Sequence, residues 1–326
     1  MRGQLPSAAS VALALVLAAA PCSAQPPQAN RALRIGVLNE AWAANHPAVE
    51  GLRSGLREFG FEERRDVLFD IRFTQGDPQA TPAAAQALVK AGVDLIFTSG
   101  ETATHAARNA TRDIPIVFTL VGDPVNAGLL RSMSRPGGNM TGISSLASEL
   151  AAKRLEILST LAPKARRVWA IHHGDDPSSL EAIRRAGIAA KKLNVNLVSR
   201  PVYSAQQLAS TLKDIRPGDA ILSPETGQLD IPAALLEVSL SSRVPAVFSA
   251  SLWVGHGGLA SYGPDYHAEG VQAARLVAKI LRGARPGDLP VEGADRIDLA
   301  VNVKTASVLG VAVPRKILLR ADTIRR

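Results

Sequence analysis

The chain has 326 residues, 46% hydrophobic, 20% charged and 4% aromatic, with 26 Gly and 21 Pro. That composition excludes a disordered or collagen-like chain and leaves one large or two medium domains with sizeable cores. The net charge of +8 (37 Lys and Arg against 29 Asp and Glu) is not gathered into a long basic run, so nucleic acid is not implied.

Residues 1–24 read as a secretory signal peptide. Arg2 supplies a positive start and 11–20 (VALALVLAAA) is an apolar run. Cys22-Ser23-Ala24 then places small residues before a cleavage point ahead of Gln25. The run is shorter than the roughly 20 residues a bilayer requires. Lipid attachment at Cys22 is the competing reading, which Pro21 directly before it fits poorly. Cleavage near Ala24 removes the only cysteine, and with it any disulfide, thiolate nucleophile or Cys-ligated zinc. The expected compartment is the periplasm.

Strand-like and helix-like segments then alternate. A strand at 34–38 (RIGVL) precedes a helix at 46–59, in which Val49, Leu52, Leu56 and Phe59 share a face and Gly60 ends the run. A half-buried strand at 67–73, an Ala-rich helix at 81–91, a strand at 94–98 (DLIFT), a helix at 102–111 and a strand at 115–120 (PIVFTL) follow. After the turn Gly137-Gly138-Asn139 comes a strand at 140–143. The pattern restarts with helices at 148–161, 177–193, 205–214 and 231–241, and strands at 167–171, 195–199, 219–222 and 245–248. Beyond 250 a Gly-rich loop (255–258) leads to a strand at 259–261, a helix at 266–281, a strand at 297–301 and a last helical piece. Repeated βαβ units predict parallel sheets covered on both faces, in two similar lobes. The lobes are expected at 33–143 with 253–290, and at 146–249 with 296–326, so that several chain crossings act together as a hinge.

Parallel sheets hold ligands beyond the carboxyl ends of their strands. The loops at those ends are small and polar. Ser99-Gly100-Glu101-Thr102 enters a helix whose free N–H groups suit a carboxylate, or simply an N-cap. Asp123 in Gly122-Asp123-Pro124 either caps a helix or faces a ligand ammonium, and Glu225 offers the same choice in the second half. Trp42 and Trp253 are candidate stacking surfaces, whereas Trp169, inside an apolar strand, reads as core. His172-His173-Gly174-Asp175-Asp176 is too contiguous to converge on one metal ion. Gly255-His256-Gly257-Gly258-Leu259-Ala260 fits G-x-G-x-x-A, but with a strand and Pro264 following it reads as a turn. No G-x-S-x-G or phosphate-loop pattern occurs.

Several stretches together resemble one family. They include Asp94-Leu95-Ile96-Phe97, Asn109-Ala110-Thr111, Ile114-Pro115-Ile116-Val117-Phe118 and Gly122-Asp123-Pro124-Val125. Arg135-Pro136-Gly137-Gly138-Asn139-Met140-Thr141-Gly142, Tyr262-Gly263-Pro264-Asp265-Tyr266 and Asp288-Leu289-Pro290-Val291 extend the match across about 33–324. The chain is similar to the ABC transporter substrate-binding family of tryptophan/tyrosine type. The resemblance implies an α/β, type I periplasmic-binding-like fold, with two Rossmann-like lobes closing on a solute without catalysis. In the loop Asn39-Glu40-Ala41-Trp42-Ala43-Ala44-Asn45-His46-Pro47, the family's Gln and Glu-His pattern keeps only its His-Pro end. The ligand-facing residues expected are Asn39, Trp42, His46, Gly100, Thr102, Ala103, Thr119 and Asp123 from the first half. Ser144, Ser145, Asp176, Glu225, Thr226 and Trp253 complete them. A ligand carboxylate is expected at the helix beginning near Thr102, and an amino group at Asp123 or Glu225.

The expected function is the solute-binding component of an ABC importer, with a small amino-acid-like or carboxylate-bearing ligand, an inner-membrane permease as partner, and a monomeric state. No catalytic residue, metal, cofactor or nucleic acid is expected. The rival readings are a ligand-sensing module for a receptor kinase and an exported hydrolase, the latter without a nucleophile to support it.

Overall fold

The apolar runs form strands and the periodic segments form the helices that cover them. The computed structural model describes residues 31–40, 45–75, 77, 79–226 and 228–326. The expectations for the signal peptide, Cys22 and Trp42 lie outside those residues. The first lobe begins with β1 (Leu33–Asn39), α1 (Pro47–Glu58), β2 (Val67–Phe73), α2 (Ala80–Lys90), β3 (Leu95–Ser99), α3 (Glu101–Ala110), β4 (Ile116–Val121) and β5 (Met140–Ser144). The second takes α4 (Ala147–Leu161), β6 (Val168–His173), α5 (Pro177–Leu193), β7 (Leu197–Val202), α6 (Ala205–Leu212) and β8 (Ala220–Leu222). It continues with α7 (Ile231–Ser241), β9 (Ala246–Phe248), α8 (Ser251–Gly255) and β10 (Ala260–Pro264). The chain then returns to the first lobe for α9 (Tyr266–Leu281) and β11 (Glu292–Gly293). It finishes in the second with β12 (Ile297–Asn302), α10 (Val303–Leu309), α11 (Arg315–Leu318) and β13 (Thr323–Arg325).

The first sheet has the order β11-β5-β4-β3-β1-β2 and is parallel throughout. Within it β1, next to the edge strand β2, sets Val37 beside both Ile71 and Phe97. The second has the order β13-β12-β10-β9-β8-β6-β7. Only β10 and β12 pair antiparallel, a departure from the all-parallel expectation. The reason is connectivity: β12 arrives straight across the hinge from β11, without a crossover helix.

Each sheet buries an apolar cluster on both faces. Leu52 and Leu56 of α1 meet Val277 of α9 on one face of the first sheet, and Leu88 of α2 joins Ala107 of α3 on the other. In the second lobe Leu155 and Leu158 of α4 pack with Ala186 of α5, while Leu208 and Leu235 cover the opposite face. Trp169 belongs to that last cluster, as expected, with its indole N–H donating to Asp219 Oδ2 at 2.9 Å. Helices α1 and α9 approach backbone to backbone. A Cβ on Gly270 would lie 2.8 Å from Leu52 N, and one on Gly51 would lie 2.9 Å from the His267 carbonyl carbon.

The chain passes between the lobes three times, at 145–146, at Asp265 and at 294–296. This corrects the expected boundary, which put 253–290 wholly in the first lobe: residues through Pro264 pair in the second sheet. Helix α8, read as part of a loop, escaped notice because five residues carry no helical period. Strands β11 and β13 are two and three residues long and were missed for the same reason.

Candidate functional site

The carboxyl ends of the two sheets face a cleft of about 940 Å³. Its polar end is built from strand-to-helix turns. Glu40 follows β1 and lies across the start of α3, where its Oε1 accepts the Ala103 N–H at 2.8 Å. Gly100, at φ +104, permits this arrangement, since a Cβ there would lie 2.6 Å from the Glu40 carboxyl carbon. Glu101 lies at the same helix start and accepts a hydrogen bond from the Ser178 hydroxyl at the start of α5. That bond joins the two lobes directly.

Asp176 caps α5 through Ser179, accepting from its N–H at 3.2 Å and its hydroxyl at 2.8 Å. Glu225, after β8, accepts from the Ser145 hydroxyl at 2.5 Å, while its other oxygen is buried without a partner among the described residues. Asp230 and Glu237 add two more carboxylates from the approach to α7 and its length. The described lining residues include no Lys or Arg.

Burial pushes the Glu40 carboxyl up to about 7, against the Ala103 hydrogen bond and with help from the Asp176 charge. Burial, then Asp176, likewise holds Glu101 well above the usual carboxylate range. Burial raises Glu225 to about 7, opposed chiefly by the Arg154 guanidinium. The shut cleft therefore crowds carboxylates from both lobes, and Glu40, Glu101 and Glu225 resist full ionisation while no cation lines the cleft among the described residues.

The other end is apolar. Pro232, Ala233, Leu236 and Leu240 of α7 face Leu252 and Trp253 of α8. The Trp253 ring stacks on Phe248, with centroids 6.0 Å apart. His46 and Tyr266 close another wall, stacked at 5.6 Å. The His46 Nδ1 accepts the Ala48 N–H, and burial lowers its imidazole to about 4, so the ring is neutral at pH 7.

Of the residues expected to face a ligand, His46, Gly100, Thr102, Asp176, Glu225, Thr226 and Trp253 line the cleft. The rest of the described set does not. Asn39 is wholly buried at the end of β1, and Ala103 is buried with its N–H bound by Glu40. The Thr119 hydroxyl bonds the Thr98 carbonyl and Ser144 bonds the Gly122 carbonyl, at 3.3 and 3.1 Å. Ser145 acts through Glu225. Asp123 neither faces the cleft nor caps a helix, since none follows it before β5: it fixes a turn, holding Asn126 by its backbone N–H at 3.0 Å and its side chain at 2.7 Å. The expected carboxylate site at α3 is filled by the chain's own Glu40.

Sequence reading missed Glu40, Glu101, Ser178, Tyr266 and the α7 wall. Glu40 and Glu101 stood inside flagged loops, so being carboxylates at strand ends was a usable signal. The α7 wall had none, because which face of that helix meets the cleft is set by packing. Among the described residues no group of three or more His, Cys, Asp or Glu is arranged to hold a metal ion.

A Tyrosine-binding protein of Clostridioides difficile (strain R20291) is 30% identical over 286 residues, covering 86% of this chain and 81% of that one. The solved structure of an ABC domain in complex with L-Trp from Streptococcus pneumonia superposes with a TM-score of 0.82 at 27% identity. It covers 90% of this chain and 100% of that one. The ligand-free, open structure of a Clostridium difficile substrate binding protein with adhesive properties has a TM-score of 0.65 at 26% identity, over 90% and 99% of the two chains. The lower score against the open structure agrees with the Glu101–Ser178 bond in describing shut lobes here. Residues 41–325 match the ABC transporter substrate binding protein family, and the chain belongs to that family.

Proposed function

We propose that the protein captures a small amino-acid-like ligand outside the cytoplasm, in the periplasm after cleavage near Ala24, and hands it as a monomer to an inner-membrane ABC permease. The ligand ammonium sits among Glu40, Glu101, Asp176 and Glu225, and its apolar part lies along Trp253, Leu236 and Leu252. The observation that carries this reading is the placement of carboxylates from both lobes around one cleft with no lining cation among the described residues. The relatives that bind tyrosine and L-Trp support a ligand of that size. In the free protein the three crossings let the lobes part, which relieves the crowding of Asp176 against Glu40 and Glu101. A ligand that brings positive charge removes the same repulsion and selects the shut state.

Thermal-shift and calorimetric titration against amino acids and amines tests the reading. A specific ligand at 100 times its Kd adds about 2.7 kcal/mol to stability. If no ammonium-bearing compound binds at millimolar concentration, the reading fails.

A further inference from the structure

We infer that the cleft discriminates by charge: it takes a monocationic amine, with an ammonium head, an apolar body and no carboxylate, in preference to the zwitterionic amino acid of the same side chain. This rests on the ligand-capture reading above and narrows it.

Four observations carry it. A ligand carboxylate needs donors, and the ten-residue helix α3 supplies the obvious set at its N-terminus. Glu40 already accepts there from Ala103, so a second carboxylate would enter against a fixed negative group. Three of the hydroxyls nearest these carboxylates are engaged in the same way, Ser178 with Glu101, Ser145 with Glu225 and Thr102 with Glu40. Arg154 does not line the cleft: it is 1% exposed, donates to the Ala147 carbonyl at 2.8 Å, and faces Glu225 from within the protein.

The fourth observation points to what the cleft lacks. Glu225 lines it, yet its Oε2 is buried with no partner among the described residues. An unsatisfied buried carboxylate oxygen calls for a donor, and a ligand ammonium brings three. A ligand carboxylate brings none. Rejection of the zwitterion then follows from like charges left unpaired at close range, a repulsive element built into the site.

Calorimetry near pH 8 with the mature protein tests this, using tryptamine against L-tryptophan and tyramine against L-tyrosine. Each amine is expected to bind at least about tenfold tighter than its amino acid, roughly the effect of 1.4 kcal/mol. In Glu40→Ala the α3 N–H groups are freed, so the amine-to-amino-acid ratio is expected to fall by a similar factor. A merely structural role for Glu40 would weaken both ligands alike and leave the ratio unmoved, which would overturn its part in the selection. Equal or tighter binding of the amino acids by the unaltered protein overturns the inference and leaves the proposed function standing. Failure of all four compounds to bind at millimolar concentration overturns the inference, while the proposed function stands or falls on the wider screen of amino acids and amines.

Discussion

Replacing Ser178 with alanine isolates the bond that joins the lobes. Its hydroxyl donates to Glu101 across the cleft, and the residue is only 4% exposed. In the open state Glu101 meets water, so the substitution costs little there. In the shut state it leaves a buried acceptor short of a donor, at about 1–3 kcal/mol. The shut-to-open ratio should fall about five- to 150-fold. In a free protein whose lobes are mostly parted, a ligand that binds the shut state sees an affinity scaled by that minor population, so its Kd should rise by the same factor. Calorimetry with tryptamine reads the affinity, and small-angle scattering across a tryptamine titration reads the compaction, which should need correspondingly more ligand in the variant. Global unfolding should move little, since the bond is made between lobes and not within either core. A Kd unchanged within about twofold, with compaction at the same tryptamine concentration as the parent, would refute the claim that this bond stabilises the shut lobes.

Four further outcomes follow from the geometry. Glu40 and Glu225, raised to about 7 by burial, take up protons when the empty cleft shuts, so amine affinity should fall as pH drops from about 8 to 6 and recover on return. A carboxyl whose folded value is raised stabilises most below its unfolded value and loses that contribution as pH rises through the folded one. Glu40→Gln should therefore gain stability relative to the parent more at pH 8 than at pH 5, by chemical denaturation. Gly270→Ala should destabilise by about 2 kcal/mol or more in the same assay, because its Cβ meets the α1 backbone and not a movable side chain. Trp253→Ala should weaken tryptamine by roughly tenfold through lost apolar contact, while unfolding shifts by less than a fully buried tryptophan would cause.

The candidate site was partly legible before the fold was known. Loops at strand ends lead to the cleft, because parallel strands share one polarity and deliver their carboxyl ends to one edge. Of the residues flagged there, His46, Gly100, Thr102, Asp176, Glu225, Thr226 and Trp253 line it. Asp123 and Glu225 looked alike as lone loop carboxylates. They parted only through neighbours, Asn126 drawing Asp123 into a local turn while Ser145 draws Glu225 toward the hinge. Glu40 was passed over because a ligand was expected at the α3 terminus, and nothing local tells which carboxylate reaches a helix start 60 residues away.

Hydrophobic periodicity and turn residues are local, so the chain order alone determined the alternation of strands and helices, the pairing of two similar lobes and the helix at Tyr266–Leu281 to the residue. The sign of the cleft was not local. It depends on which side chains of distant loops are brought together and on whether a cation comes with them. Lobe closure set Asp176 beside Glu40 and Glu101 and left Arg154 outside. A chain of net charge +8 thus encloses a negative pocket, because net charge sums over every residue whereas a ligand meets only the few that the fold turns inward.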